Sequence, residues 1–146
     1  MLFALIGENC TGKSTLAEAI NAVLPAEIIT GKDYLRMAKS ESMAALLFKK
    51  KLAAAVTGEN LIYVITEKEH IAFLPEGAVS VLVTAELDEI KERFKARMHG
   101  VLPPPVEKML EMKHGSFDRI PHEYAFNSSK DDAGEFIVKL KKDLGL

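Results

Sequence analysis

Gly7-Glu8-Asn9-Cys10-Thr11-Gly12-Lys13-Ser14 sets two glycines, a lysine and a hydroxyl at the spacing G-x-x-x-x-G-K-S. Such a stretch can wrap its backbone around a polyphosphate with the N–H groups turned inward, because glycine permits the path. Lys13 would reach the outer phosphates, and the Ser14 hydroxyl would ligate Mg²⁺. A helix starting here would aim its positive dipole end at the anion. Gly7 through Thr15 is therefore the candidate nucleotide-binding segment. A second candidate group is Arg93 and Arg97, four apart and so on one side of a helix. They flank an apolar stripe of Leu87, Ile90, Phe94 and Met98, so a packed helix could present both from its edge.

These groups need a frame to hold them. Met1 to Ile6 is an unbroken apolar run, as a parallel strand buried on both faces requires. Beyond the loop, Leu16, Ala17, Ile20 and Leu24 recur at helical spacing until Pro25. Further strands are expected over 26–30, 61–65, 78–83 and 123–126. Helices are expected from about 33 to 56 with a break near Ser40, and over 67–74, 86–98 and 133–144. The stretch 99–121 holds Pro103-Pro104-Pro105 and a short helix between Gly100 and Gly115, and reads as a flap that excludes water. Strands alternating with helices predict a mostly parallel five-stranded sheet with helices on both faces, a three-layer α/β fold. Ligands then sit at the carboxyl ends of the strands.

The chain has 146 residues, 48% hydrophobic and 27% charged, which suits one soluble domain over 1–146. The net charge of −2 does not suit a nucleic-acid binder, and no apolar run is long enough to span a bilayer. The apolar start is too short for a signal peptide, and the single Cys10 can form no internal disulfide, so a cytoplasmic location is expected. The four histidines show no metal-ligand spacing. Lys49-Lys50-Lys51 spreads around its helix and reads as a solvated face.

On the loop, on Thr30-Gly31-Lys32-Asp33-Tyr34-Leu35-Arg36 after strand two, and on Arg93-x-x-x-Arg97, the chain resembles the P-loop nucleotide kinases, the adenylate and guanylate kinase group. The resemblance implies a P-loop NTPase fold with an acceptor-side helical segment at about 31–60 and a lid at about 99–121. It implies ATP and Mg²⁺ as cofactors and transfer of the γ-phosphoryl group to a small-molecule acceptor, by a monomer or small homo-oligomer. By that likeness Arg36 clamps the acceptor's anionic group. Asp33 holds Mg²⁺ through water, accepts the acceptor's proton, or caps a helix. Arg93 and Arg97 close on the donor phosphates. Phe117-Asp118-Arg119 through Asn127 is similar to the end of guanylate kinases, which implies that Asn127 borders the donor base.

The chain departs from the family after strand three, where Thr66-Glu67-Lys68-Glu69-His70 stands in place of the usual Asp. Glu67 can take the metal-side role with its longer arm. Two further readings remain open. The short segment between strands two and three favours a kinase of a non-nucleotide metabolite. The missing Asp favours a nucleotide-binding NTPase or switch without an acceptor.

Overall fold

The computed structural model describes residues 1–146. Strands β1 (Leu2–Ile6), β2 (Glu27–Thr30), β3 (Leu61–Ile65), β4 (Val79–Thr84) and β5 (Tyr124–Asn127) alternate with helices α1 (Lys13–Val23), α2 (Glu41–Val56), α3 (Leu87–Arg97), α4 (Pro104–Lys113) and α5 (Ala133–Asp143). The strands form one sheet in the order β2-β3-β1-β4-β5, and every pairing is parallel. The expected sheet is present. α3 and α4 follow each other without a strand between them, and β4 and β5 are joined through that pair.

The order puts β1 and β3, both buried at every position, in the middle of the sheet. Alternate side chains of a strand point to opposite faces, so each central strand feeds two cores. Leu2, Ala4 and Ile6 pack with Leu61, Tyr63 and Ile65 against Ala44, Phe48 and Leu52 of α2. Phe3 and Leu5 pack with Ile62, Val64, Val81 and Val83 against α1 and α5, through Leu16, Ile20, Ile137 and Leu140. Each Val, Leu, Ile or Phe among them contributes about 1.5–3 kcal/mol when fully buried. Truncating Phe48, which touches no solvent, would cost about 3–5 kcal/mol.

The break near Ser40 has a local cause. Ser40 caps α2 by accepting the Met43 amide at 3.1 Å, and the residues before it form a separate 3₁₀ turn, Asp33–Met37. The short helix expected over 67–74 is a second 3₁₀ turn, Lys68–Phe73. His70 is buried and Phe73 packs against the same core, and a three-residue repeat on one face is the 3₁₀ period. Both turns are pinned by one aromatic cluster. Tyr34 stacks on Phe48 at 5.1 Å between centroids, Phe73 meets Tyr34 edge-on at 4.9 Å, and His70 stacks on Phe73 at 5.8 Å. Lys51 bonds Glu27 and Lys49 lies over Phe73, with Lys49 and Lys50 exposed, so the lysine run is a solvated face. No helix is long and apolar enough to cross a membrane.

Candidate nucleotide site

β1 ends at Ile6, and the chain enters the loop while still held by the sheet: the Gly7 amide donates to the Ile65 carbonyl at 3.2 Å. A side chain at Gly7 would put its Cβ 2.3 Å from the Val83 carbonyl oxygen, so only glycine lets β1 pass that close to β4. The loop closes at Gly12, whose φ of 96° is left-handed, and α1 starts at the next residue. From Glu8 through Thr15 no backbone amide donates to any group in the protein. A helix start leaves four amides free by geometry; the rest of this run is free because the loop turns its N–H groups away from the sheet. Consecutive free amides with a helix dipole behind them form an anion cradle.

Lys13 crosses this cradle. Its ammonium donates to the Glu8 carbonyl and lies 3.4 Å from Thr11 Oγ1, and the residue is 5% exposed. Burial pulls its pKa down to about 8, against opposing attraction from Cys10 and Glu8, with Arg97 adding repulsion. Its two hydrogen-bond partners, a carbonyl and a hydroxyl, are neutral, so the buried cation has no anion within hydrogen-bond reach. Ser14 and Thr15 stand exposed in the first turn of α1. Asn9 is exposed at the crest of the loop, whereas Cys10 is 5% exposed with a left-handed φ of 62°.

Arg93 and Arg97 reach the loop from α3. They line a cavity of about 560 Å³ with Gly12, Thr15, Phe126 and Ser128. Arg93 donates to the Cys10 carbonyl at 2.9 Å, to Ser128 Oγ at 3.1 Å and to Glu89 at 3.0 Å. Ser128 Oγ donates in turn to the Thr11 carbonyl at 2.6 Å. Loop, α3 and the turn after β5 are thus laced together around one cavity. Arginine and apolar Leu16, Phe126 and Ala133 line it together, charged groups beside apolar surface.

Asn127 lines a different cavity, of about 380 Å³, with Gly7, Glu8, Thr84, Gly115 and Asp118. Its side chain is engaged in its own turn, where Oδ1 accepts the Ser129 amide at 2.9 Å. Its neighbour Ser128 is the residue that faces the phosphate loop.

Asp33 and Arg36 sit on the 3₁₀ turn after β2, both exposed, on either side of the buried Tyr34. They line neither cavity. Asp33 Oδ2 accepts the Thr30 amide at 3.4 Å, and the helical turn's cap is Lys32 rather than Asp33. Tyr63 donates its hydroxyl to the Gly31 carbonyl at 2.9 Å; burial first, then the neighbouring Tyr34 and the charges of Glu67 and Asp33, hold its pKa above the usual range. Glu67 is exposed at the end of β3 and can place an oxygen within 4.8 Å of ligand atoms of Glu69 and His70. A hydrogen bond with Glu69, and then the charge of Lys32, lowers its pKa, with Lys113 adding to the effect. A hydroxyl at Ser14 and an exposed carboxylate at Glu67, paired with Glu69, are oxygen donors of the kind a hard cation takes, so the residue types fit Mg²⁺.

The segment 99–121 is docked in this structure. Leu110 of α4 is buried with Cys10, Ala85 and Ile90, and Phe117 is buried in the α2-side core. Lys91 of α3 bridges Glu107 and Glu111 of α4. At the end of α4, His114 and Gly115 meet the Glu8 carboxylate. Nothing in the local sequence announces that contact, since 106 residues separate Glu8 from His114.

No protein-family model matches this chain, and no curated protein matches it. Solved structures do. The fold is similar to a shikimate kinase from Bacteroides thetaiotaomicron, with a TM-score of 0.66 at 17% identity over 100% of this chain and 99% of that one. It is similar to the YorR protein of Bacillus subtilis, solved in complex with phosphorylated GDP, with a TM-score of 0.67 at 18% identity over 100% and 96%. A gluconokinase from Sinorhizobium meliloti gives 0.59 at 14% identity over 98% and 94%. The chain has the P-loop kinase fold.

Proposed function

We propose that this protein is an ATP- and Mg²⁺-dependent phosphotransferase that moves the γ-phosphoryl group to a small metabolite. One observation carries the reading: a run of unpartnered amides, Glu8 to Thr15, closing on a buried lysine. Such a cradle has little purpose without a polyphosphate, and phosphoryl transfer is mostly positioning and charge stabilisation. Lys13 leaves the Glu8 carbonyl for the transferring phosphate's oxygens. Arg97, exposed and lining the donor cavity, adds a second positive group as charge develops. The donor's base and ribose lie in the cavity between α3 and the turn after β5. Ser14 and Glu67 would hold Mg²⁺, which would supply charge neutralisation when bound. Asp33 accepts the acceptor's hydroxyl proton and Arg36 holds its anionic group.

Two of the fold neighbours are named as kinases of small metabolites, shikimate kinase and gluconokinase. The single short turn Asp33–Met37 between β2 and α2 leaves room for a compact acceptor, which favours a metabolite over a nucleoside monophosphate. We place the enzyme in the cytoplasm, as a monomer or small homo-oligomer. ADP release measured against a panel of hydroxy acids, sugars and nucleoside monophosphates tests the reading. Stimulation by one hydroxy acid or sugar supports it; stimulation by nucleoside monophosphates alone corrects the acceptor. Hydrolysis that no acceptor accelerates makes the protein an NTPase, and absence of nucleotide binding at millimolar concentration removes the proposal.

A further inference from the structure

The second residue of the phosphate loop is an acid, and its side chain is not free. Glu8 Oε1 lies 2.8 Å from His114 Nδ1, and Oε2 accepts the Gly115 amide at 2.9 Å. A carboxylate only accepts, so the imidazole donates through Nδ1. Both contacts come from the two residues that follow α4, and the Glu8 side chain is 14% exposed. The same residue's carbonyl receives the Lys13 ammonium. One residue therefore touches the catalytic lysine through its backbone and the lid through its side chain.

The chemistry of that position is awkward. A free carboxylate beside a polyphosphate cradle repels the ligand the cradle is shaped for. Docking His114 and Gly115 eases the conflict, because an N–H from each occupies one of the two oxygens and spreads the charge. We propose that Glu8 is a positioning residue that seats the lid on the phosphate loop, and that seating it is what makes the loop receptive to a polyphosphate. The lid's docked state and the nucleotide-competent state are then one state. An open lid leaves a bare anion at the mouth of the cradle and weakens nucleotide binding. The inference rests on the phosphotransferase reading only for its consequence; the contact itself is independent of any activity.

Two arms test it on the full-length protein. Hydrogen exchange of the ligand-free protein reads the contact: Glu8→Ala speeds exchange of the Gly115 amide and residues 114–118 by about tenfold, and Glu8→Gln, which keeps an acceptor for Gly115, retains most of the protection. Nucleotide binding, with Mg²⁺ and ATP as the probe, reads the consequence. His114→Ala frees one carboxylate oxygen and weakens ATP by about three- to tenfold. Adding Glu8→Gln to His114→Ala restores affinity, because the exposed group no longer carries charge. Unchanged exchange in Glu8→Ala overturns the seat. Unchanged ATP affinity in His114→Ala, or failure of the double variant to recover it, overturns the coupling. If no variant and not the parent binds ATP, the kinase reading has failed while the exchange result still decides the contact.

Discussion

The Arg93 guanidinium reaches across 83 positions of sequence and donates to the Cys10 carbonyl at 2.9 Å. Its other hydrogen bonds go to Ser128 and Glu89, so Arg93 is spent on holding the site together. Arg97, one turn further along α3, is exposed and bonds to nothing in the protein. Two arginines in one motif thus have different tasks. Arg93→Ala is expected to lower stability by about 1–2 kcal/mol and to weaken ATP, seen together in thermal unfolding with and without nucleotide. Arg97→Ala is expected to leave the ligand-free melting temperature unchanged and to cut kcat by about 10–100-fold with a smaller change in the KM for ATP. Equal behaviour of the two variants in both assays contradicts this division.

Lys13 gives a prediction in protons. Its folded pKa near 8 lies below the ordinary lysine value of 10.5. A phosphate placed beside it favours the charged form and raises the pKa again, so nucleotide binding must take up protons wherever the free protein has lost them. At pH 8 the uptake is about half a proton per nucleotide from this group, and well below pH 7 it vanishes. Calorimetric titration in buffers of different ionisation enthalpy measures the number directly. For the ligand-free protein the sign is the reverse of a paired lysine's: between about pH 8 and 10.5 the unfolded chain holds this proton more tightly, so this group's contribution to stability rises with pH across that window. Lys13→Met removes the proton uptake and cuts turnover by about 10²–10³-fold or more. Buffer-independent binding heats at pH 8 in the parent rule out the assignment.

How much of this could be read from the chain depends on range in sequence. The apolar runs 2–6 and 61–65 announce central strands because a strand buried on both faces cannot alternate with polar residues. The phosphate loop is legible because eight consecutive residues carry all of its chemistry. Ser40 is legible as a break because a cap acts on the amide three residues on. The Glu8–His114 contact is not, because no local window around either residue contains the other. The 3₁₀ character of Lys68–Phe73 depends on where His70 and Phe73 must land in an aromatic cluster assembled from α2, β3 and both turns, which no local window contains. Asn127 and Ser128 are adjacent, and which of the two faces the donor cavity is decided by the turn after β5, where the Asn127 amide donates to Asp131 at 2.8 Å.

Asp33 and Glu67 end neighbouring strands and carry different proposed tasks, which separate in steady-state kinetics. Asp33→Asn keeps size and removes basicity. It is expected to lower kcat by about 10²–10⁴-fold with little change in the KM for ATP, as loss of a general base does. Glu67→Gln is expected to raise the Mg²⁺ concentration needed for half-maximal rate by about tenfold and to leave kcat at saturating Mg²⁺ nearly intact, as loss of a water-mediated ligand does. A Mg²⁺ titration that shifts for Asp33→Asn and not for Glu67→Gln exchanges the two assignments.

Gly7 carries the sharpest stability prediction, because it is the last point at which the sheet grips the loop. A Cβ there would stand 2.3 Å from the Val83 carbonyl oxygen and 3.1 Å from Thr11 Oγ1. The first contact is with backbone, which no rotamer change relieves, so β1 and β4 must move apart. Both strands feed the α1-side core, and the shift disturbs Phe3, Leu5, Val81 and Val83 together. Gly7→Ala is therefore expected to cost roughly 3 kcal/mol, from an overall stability on the order of 5–15 kcal/mol. Urea unfolding should show the midpoint falling with the slope unchanged. Gly31→Ala is the control: its φ of 50° is left-handed, but nothing lies within 4 Å of the added atom, so only backbone strain of about 1–2 kcal/mol remains. Because a shift of β1 also displaces the loop that leaves it at Gly7, a given nucleotide concentration stabilises Gly7→Ala by less than it stabilises Gly31→Ala. A Gly7→Ala protein as stable as its parent means that β1 and β4 tolerate a wider gap, and that the loop's path is set from Gly12 alone.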